Sequence, residues 1–263
     1  YLKSREGKLW VRKFGFKKPP SHNTFSKFVK RLGSDVFERI FYELVAEIKK
    51  YRNVGRIVAI DSTLLEGYAR DWNNRENSDP DAKWGYSATK EWIFGYKVHV
   101  ACDVELELPL AFTVTPANVY DSVECLNLLG KMAIKRIKFG YVIADAGYDT
   151  KDNYYLISHI HHAVPIIAMN RRNLKRETRD FENYLPLKRD TDLWKSLYQR
   201  RGAVERVFSR LKEELALKMV KVRGINNVKT HVATSLITMI CVALFAIKSG
   251  NMYLSKSVNS FKY

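Results

Sequence analysis

The sequence predicts an α/β fold: a mixed sheet flanked by helices and preceded by a small helical N-terminal region. Two short apolar runs, residues 57–60 and 141–144, suit strands that are buried on both faces. Stretches with the three- and four-residue apolar spacing of helices lie between and after them. We expect three segments: a helical region over 1–52, a main domain over 53–250 and a C-terminal tail over 251–263.

The N-terminal region is predicted to be helical only after residue 20. Residues 1–20 are basic and expected to be irregular, because the pair Pro19–Pro20 ends any helix before it. Two helices should follow, joined at Gly33, with Ser21 or Thr24 as candidate N-cap of the first. Their exposed basic side chains would be Lys27, Lys30 and Arg31. Such a pair is either part of a helix-turn-helix that contacts DNA or a plain hairpin packed on the main domain.

The main domain is predicted to contain a strand hairpin between two buried strands. The predicted strands cover 56–64, 94–103, 108–115, 141–144 and 163–168. The turn at 105–107 should join the second and third strands into a hairpin. Residues 66–92 are polar and are predicted to form a loop. This order of strands and intervening helices predicts the mixed sheet.

Three helices of the main domain are predicted, two from a candidate N-cap residue and one from an apolar run. Asp121 and Asp149 each precede a helical stretch, and both are expected to act as N-caps. The apolar run Val232–Ile247 is shorter than the ~20 residues that a membrane-spanning helix needs. It is therefore predicted to be a helix of the protein core.

The charge balance indicates a polyanionic partner. The chain has 263 residues with 45 Lys and Arg against 28 Asp and Glu, a net charge of +17. Such an excess favours DNA, RNA or an anionic membrane surface, the alternative being a merely basic soluble protein. Cys102, Cys125 and Cys241 are few and scattered, which is typical of reduced thiols in a cytosolic protein.

Residues 198–212 are predicted to form one helix with three faces. The apolar face consists of Val204, Val207, Phe208, Leu211 and Leu215. A charged face expected to meet solvent consists of Arg206, Arg210, Glu213 and Glu214. At ~100° per residue, a third sector of about 60° aligns four polar residues. They are Tyr198, Arg201, Glu205 and Lys212.

The third face suggests phosphodiester chemistry. A carboxylate at the edge of a core can hold a divalent metal ion, and the flanking Arg and Lys can neutralise phosphates. The alternative is an ordinary surface helix in which Arg201 and Glu205 form an i,i+4 pair worth a few tenths of a kcal/mol.

The spacing of these four residues resembles the Tyr-Arg-Glu-Lys signature of bacterial and archaeal insertion-sequence transposases of the DDE class. Residues 59–63 and 143–149 are similar to the first-Asp and second-Asp motifs of the same family. Further similar segments are 79–84, 95–99 and 115–121. The resemblance runs in the family's order from about Ile57 to the C-terminal helix.

The resemblance implies an RNase H-like fold and a catalytic centre built from Asp61, Asp145 and Glu205. These acids would hold two Mg²⁺ ions about 4 Å apart, with Mn²⁺ as a substitute. The implied activity is cleavage at transposon ends, followed by transfer of the freed 3′-hydroxyl into target DNA. A catalytically silent, domesticated DNA-binding protein and a nuclease without strand transfer remain alternatives.

The implied partner is double-stranded DNA, both the terminal inverted repeats and the target. Tyr198, Arg201 and Lys212 would grip the strand beside the scissile phosphate. A basic run after the last strand would contact the DNA backbone through four side chains. They are Arg171, Arg172, Lys175 and Arg176. The expected protein is a homodimer on DNA, cytoplasmic and nucleoid-associated, with no membrane partner.

Overall fold

The computed structural model describes residues 5–68, 78–87, 91–170, 185–218 and 220–261. The strands are β1 (Ile57–Glu66), β2 (Lys83–Ser87), β3 (Glu91–Asp103), β4 (Leu108–Pro116), β5 (Tyr141–Ala144) and β6 (Val164–Ile167). The first helices are α1 (Arg5–Lys13), α2 (His22–Leu32), α3 (Ser34–Lys49) and α4 (Asp121–Ile134). The later helices are α5 (Lys151–Tyr155), α6 (Asp192–Gln199), α7 (Gly202–Glu213) and α8 (Ile225–Lys248).

The strands form one mixed sheet with the order β2-β3-β1-β5-β6, and β4 pairs with β3. Strand β1 is antiparallel to β3 and parallel to β5, which is in turn parallel to β6. Six strands flanked by helices confirm the predicted fold class and are consistent with the RNase H-like fold. In the parallel register Ile60 is opposite Ala144. The residues that follow them, Asp61 and Asp145, therefore lie side by side where the pairing of β1 with β5 ends.

The two apolar runs are the centre of the core. Val58, Ala59 and Ile60 in β1 and Val142 and Ile143 in β5 have no exposed surface. Burial on both faces is what a continuous apolar run in a parallel pair predicts. The two aspartates therefore directly follow fully buried strand residues.

Helix α8 confirms the prediction of a core helix. Its length and a mean hydropathy of 2.0 would be sufficient to cross a membrane. In the folded chain, however, it packs against α3 and β4, and its apolar side chains belong to the main core. Ten of its residues are buried, among them Val232, Leu236 and Met239.

Two predictions about irregular segments are wrong. Residues 1–20 are not irregular throughout, because α1 forms over Arg5–Lys13 and buries Val11. Residues 66–92 are not only loop, because β2 pairs with the first residues of β3. Aromatic residues favour strands, and Trp84 and Tyr86 in β2 lie opposite Phe94 and Trp92.

Both predicted aspartate caps are also wrong. Helix α5 is capped by Thr150, whose hydroxyl accepts from the N–H of Asn153. Asp149 is instead buried, and its carboxylate accepts from the Tyr154 hydroxyl and the N–H of Asn170. At the start of α4 the cap position belongs to Tyr120, and Asp121 lies in the first turn.

The stretch 198–212 is two helices rather than one. Helix α6 ends at Gln199 and α7 begins at Gly202, so Tyr198 lies on a separate helix from the rest of the signature. Glycine at the break is consistent with its low helix propensity. The apolar face is confirmed by Leu211, which is 1% exposed. The prediction that Arg210 is exposed to solvent is wrong, because its guanidinium is buried and donates to Glu107.

Candidate active site

Asp61 is held in the middle of β1 by contacts on both of its carboxylate oxygens. The backbone N–H of Ser62 donates to Oδ1 at 2.8 Å. The Arg201 guanidinium donates from Nη1 to Oδ2 at 2.9 Å. The side chain is only 17% exposed, so both contacts form in a poorly solvated place.

Asp145 lies beside Asp61, immediately after β5. One of its oxygens accepts from the backbone N–H of Gly147 at 2.8 Å. Burial and the negative charge of Asp145 raise the pKa of Asp61 to about 7. Burial, together with Asp121, also raises the pKa of Asp145. Two neighbouring carboxyl groups with raised pKa values thus lie where the pairing of β1 with β5 ends.

Arg201 connects this pair to Glu205. Its Nη2 donates to Glu205 Oε1, one turn along α7, while Nη1 is on Asp61. The Glu205 side chain is 56% exposed, so it faces solvent. Within the described ranges no three acidic, histidine or cysteine side chains converge closely enough to bind one metal ion. The guanidinium is the cation that Asp61 and Glu205 share.

Tyr198 and Lys212 lie on different helices, α6 and α7. The Tyr198 ring stacks on Trp194 with centroids 4.9 Å apart and planes at 11°. Burial raises the pKa of Tyr198, Arg201 opposes the shift, and the charges of Asp145 and Asp61 add to it. Lys212 follows Glu205 by seven residues in α7, so the two share a helix face.

The four basic residues predicted to bind DNA lie outside the described residues. Arg171, Arg172, Lys175 and Arg176 all lie in the range that the structure does not describe. The residue before them, Asn170, donates its N–H to Asp149 at 2.7 Å. The start of the run is therefore attached to the loop that follows Asp145.

A second polar group, which the prediction missed, contacts β1 from the other side of the sheet. Asp121 accepts hydrogen bonds from the Ser62 hydroxyl at 2.7 Å and from Lys97 Nζ at 3.0 Å. Next to it His99 is fully buried, with Nδ1 3.7 Å from Asp121 Oδ1 and Nε2 3.0 Å from Thr115 Oγ1. Burial lowers the pKa of His99 to about 4, so the ring is neutral near pH 7.

A signal for this group was present in the sequence. Lys97 and His99 belong to the similar segment 95–99, and Asp121 ends the similar segment 115–121. The local pattern around Asp121 was dominated by the start of a helix, which suggested a cap. Its partners come from β1 and β3, and a local pattern does not identify them.

The donor set suits a hard divalent cation. Mg²⁺ and Mn²⁺ prefer oxygen ligands, and Asp61 and Asp145 present oxygens from adjacent strands. Burial, together with the charge of a neighbouring acid, raises both of their pKa values, and a bound cation would favour the ionised carboxylates. Arg201 already supplies a charge of that sign between Asp61 and Glu205, which marks a place where a cation is stable.

A comparison with protein families identifies the chain. The family model described as Transposase DDE domain matches residues 52–241. No curated protein matches the chain at a significant level. The matched range includes β1, β5 and α7, the three elements that carry Asp61, Asp145 and Glu205.

Proposed function

The chain belongs to the transposase DDE-domain family, and on that premise we propose that it cleaves transposon-end DNA and transfers the 3′-hydroxyl end into target DNA. The family as a whole consists of enzymes that act on DNA with divalent metal ions. The observation that carries the proposal is the parallel register of β1 and β5, which brings Asp61 and Asp145 side by side.

Asp61, Asp145 and Glu205 would hold Mg²⁺, or Mn²⁺ in its place, as two ions. When bound, such ions acidify a water molecule and stabilise the leaving oxygen of the phosphodiester. The Ser62 and Gly147 N–H groups orient the two aspartates, because each donates to one carboxylate oxygen. The rigid strands beneath them keep the two side chains at a fixed separation.

Arg201 would exchange carboxylates for phosphate during the reaction. Its planar guanidinium donates to two carboxylate oxygens at once, one on Asp61 and one on Glu205. A DNA phosphate offers two oxygens that the same two N–H groups can contact. Tyr198 can donate its hydroxyl to a neighbouring phosphate, and Lys212 adds a positive charge on the face of Glu205. These groups hold the strand while the acids act.

The DNA partners would be the terminal inverted repeats and the target duplex. A net charge of +17 supports binding that is largely electrostatic. The basic run with Arg171, Arg172, Lys175 and Arg176 would follow the backbone away from the site. We also propose a homodimer on DNA, because two transposon ends must be cut and joined together, and association with the nucleoid.

Two other functions share the fold and the charge. A catalytically silent DNA-binding protein is favoured by one observation, the pairing of Arg201 with two of the three acids. A nuclease without strand transfer would use the same acids. Both predict DNA binding, and they differ in the products that are formed.

The deciding experiment incubates the protein with Mg²⁺, its own labelled transposon ends and a target plasmid. We expect cleaved ends and joined products. Asp61→Asn, Asp145→Asn and Glu205→Gln should each lower the cleavage rate by at least ~10²-fold, since each removes charge stabilisation from the reacting centre. The matched control is Glu213→Gln, an exposed acid on the same helix, which should cleave normally.

The products separate the candidates. Ends that are bound but never cut in any metal would support the silent protein. Ends that are cut but never joined would support the nuclease.

A further inference from the structure

Two helices contact consecutive residues of β1 from opposite faces of the sheet. Successive side chains of a strand point to opposite faces. Asp61 therefore meets Arg201 at the start of α7, whereas Ser62 meets Asp121 at the start of α4. The second contact has no part in the roles described above.

The contact of Asp121 leads to Asp61 through Ser62. The Ser62 hydroxyl donates to Asp121 Oδ1 at 2.7 Å, and the Ser62 N–H donates to Asp61 Oδ1 at 2.8 Å. Lys97 Nζ donates to the same Asp121 oxygen at 3.0 Å and to the Val119 carbonyl at 2.8 Å. One residue thus connects two carboxylates, and a lysine holds the outer one in place.

The residues around Asp121 indicate that its contact with Ser62 does more than stabilise the N-terminus of α4. An acid in the first turn of a helix gains from the helix dipole without needing Lys97 or Ser62. Here both donors are used, and Lys97 is only 13% exposed. The buried His99 presents Nδ1, which has no hydrogen-bond partner in the described chain, toward the same carboxylate. A cluster buried to this degree is costly to assemble for capping alone.

Asp121 is also electrically coupled to the acids of the site. After burial and the neighbouring Asp145, its charge contributes to the raised pKa of Asp61, and it adds to the effect of burial on Asp145. Gly147, whose N–H holds Asp145, has Asp121 Oδ2 3.8 Å from the position that a Cβ would take. The Asp121 carboxylate therefore lies near the turn that holds Asp145.

We propose that Asp121 is a positioning residue of the active site, which fixes Asp61 through Ser62 and strengthens divalent cation binding by its charge. The proposal rests on the proposed function, because the cation is the one that Asp61 and Asp145 would hold. Asp121 acts through its neighbours, in the way that outer partners orient the ligands of metal sites.

The test measures Mn²⁺ binding to the full chain by electron paramagnetic resonance, with no DNA cleavage required. Asp121→Asn keeps the shape and an acceptor for Ser62 but removes the charge. It should weaken Mn²⁺ binding by about 10- to 100-fold, as loss of an outer partner does at other metal sites. Ser62→Ala keeps every charge and removes the connecting hydroxyl, so it should weaken binding in the same direction and by less.

The control is Asp103→Asn, a buried aspartate in β3 outside the site. Its carboxylate accepts from the backbone N–H groups of Gly55, Glu105 and Leu106. Losing its charge should lower the midpoint of thermal unfolding while leaving Mn²⁺ binding at the wild-type level. A general loss of stability would instead weaken binding in Asp103→Asn as well.

Each outcome decides the matter. Wild-type Mn²⁺ affinity in Asp121→Asn overturns the proposal and leaves the proposed function intact. If Asp121→Asn does not fold, Ser62→Ala with wild-type affinity overturns it. A wild-type protein that binds no Mn²⁺ at all, even with DNA, overturns the proposed function and this inference with it.

Discussion

Helix α7 has an arginine–carboxylate contact near each end, and the two differ in charge balance. Near the C-terminal end, Arg210 donates to the side chain and the carbonyl of Glu107 and to the carbonyl of Lys256. Glu107 also accepts from Arg206 at 2.9 Å and from Lys256 at 2.8 Å. One buried carboxylate is therefore surrounded by three cations.

At the N-terminal end of α7 the acidic side chains outnumber the basic ones. Arg201 is shared by Asp61 and Glu205, and Asp145 lies beside them. Although burial alone would raise the pKa of Glu107, Lys256 and Arg206 lower it below its usual value. At the other end burial and Asp145 raise the pKa of Asp61 to about 7. The closed cluster, in which Glu107 is surrounded by cations, contributes to the fold. We propose that the acid-rich cluster, Asp61 with Asp145 and Glu205, takes up a cation.

The largest expected loss of stability comes from the closed cluster. Glu107→Gln leaves the buried Arg210 without its counter-charge, which typically costs about 3–5 kcal/mol. We expect a loss of that size in urea unfolding, with Mn²⁺ affinity unchanged in the folded protein. A loss below about 1 kcal/mol would show that the cluster is less important to the fold than its burial suggests.

The next effect comes from the apolar face that joins the two ends. Leu211→Ala removes a side chain that is 1% exposed, and such changes cost about 2–5 kcal/mol. Cleavage by the remaining folded protein should be close to normal. Unchanged stability would mean that the rotation of α7 about its axis is misassigned.

The acid-rich end should show little loss of stability and a large loss of activity. Arg201→Ala and Lys212→Ala remove charges from partly buried side chains, and we expect the free energy of unfolding to change by less than about 1 kcal/mol. Cleavage should fall by about 10²- to 10³-fold, because phosphate neutralisation near the reacting centre is lost. Glu213→Gln is the control on the same helix. Unfolding of Lys212→Ala would contradict the comparison between the two ends.

The smallest effect on stability is expected from the basic run. Replacing Arg171, Arg172, Lys175 and Arg176 together with Ala should leave the unfolding transition unchanged. The slope of log affinity against log salt should become shallower by about 0.9 for each lost phosphate contact. Binding at several salt concentrations measures this slope, and an unchanged slope would place the DNA path elsewhere.

The parts of the fold that follow from local pattern were predictable. Strand β5 has the predicted bounds, Tyr141–Ala144, because a short apolar run between polar residues admits few alternatives. The Ser21 cap is also confirmed, since its side chain accepts from the N–H of Thr24. Gly33 has φ 74°, a conformation that favours glycine, and it ends α2 as predicted.

The parts that depend on distant partners were not predictable. Arg210 lies on the polar side of an amphipathic pattern, and only Glu107, which is 103 residues away in sequence, makes its burial favourable. Asp121 and Asp149 were interpreted as caps from their neighbours in sequence. Their actual partners, Ser62 and Arg189, are 59 and 40 residues away. The positions of Asp61, Asp145 and Glu205 as metal ligands stay a prediction.

We propose that the acids at the N-terminal end of α7 bind metal while Arg201 moves from Asp61 and Glu205 to a DNA phosphate. Anomalous diffraction from crystals of the complex with transposon-end DNA and Mn²⁺ tests it directly. We expect a metal peak at about 2.1 Å from oxygens of Asp61 and Asp145, with Arg201 turned onto a phosphate. A complex in which Arg201 still joins Asp61 to Glu205 and no metal lies beside the aspartates would contradict it.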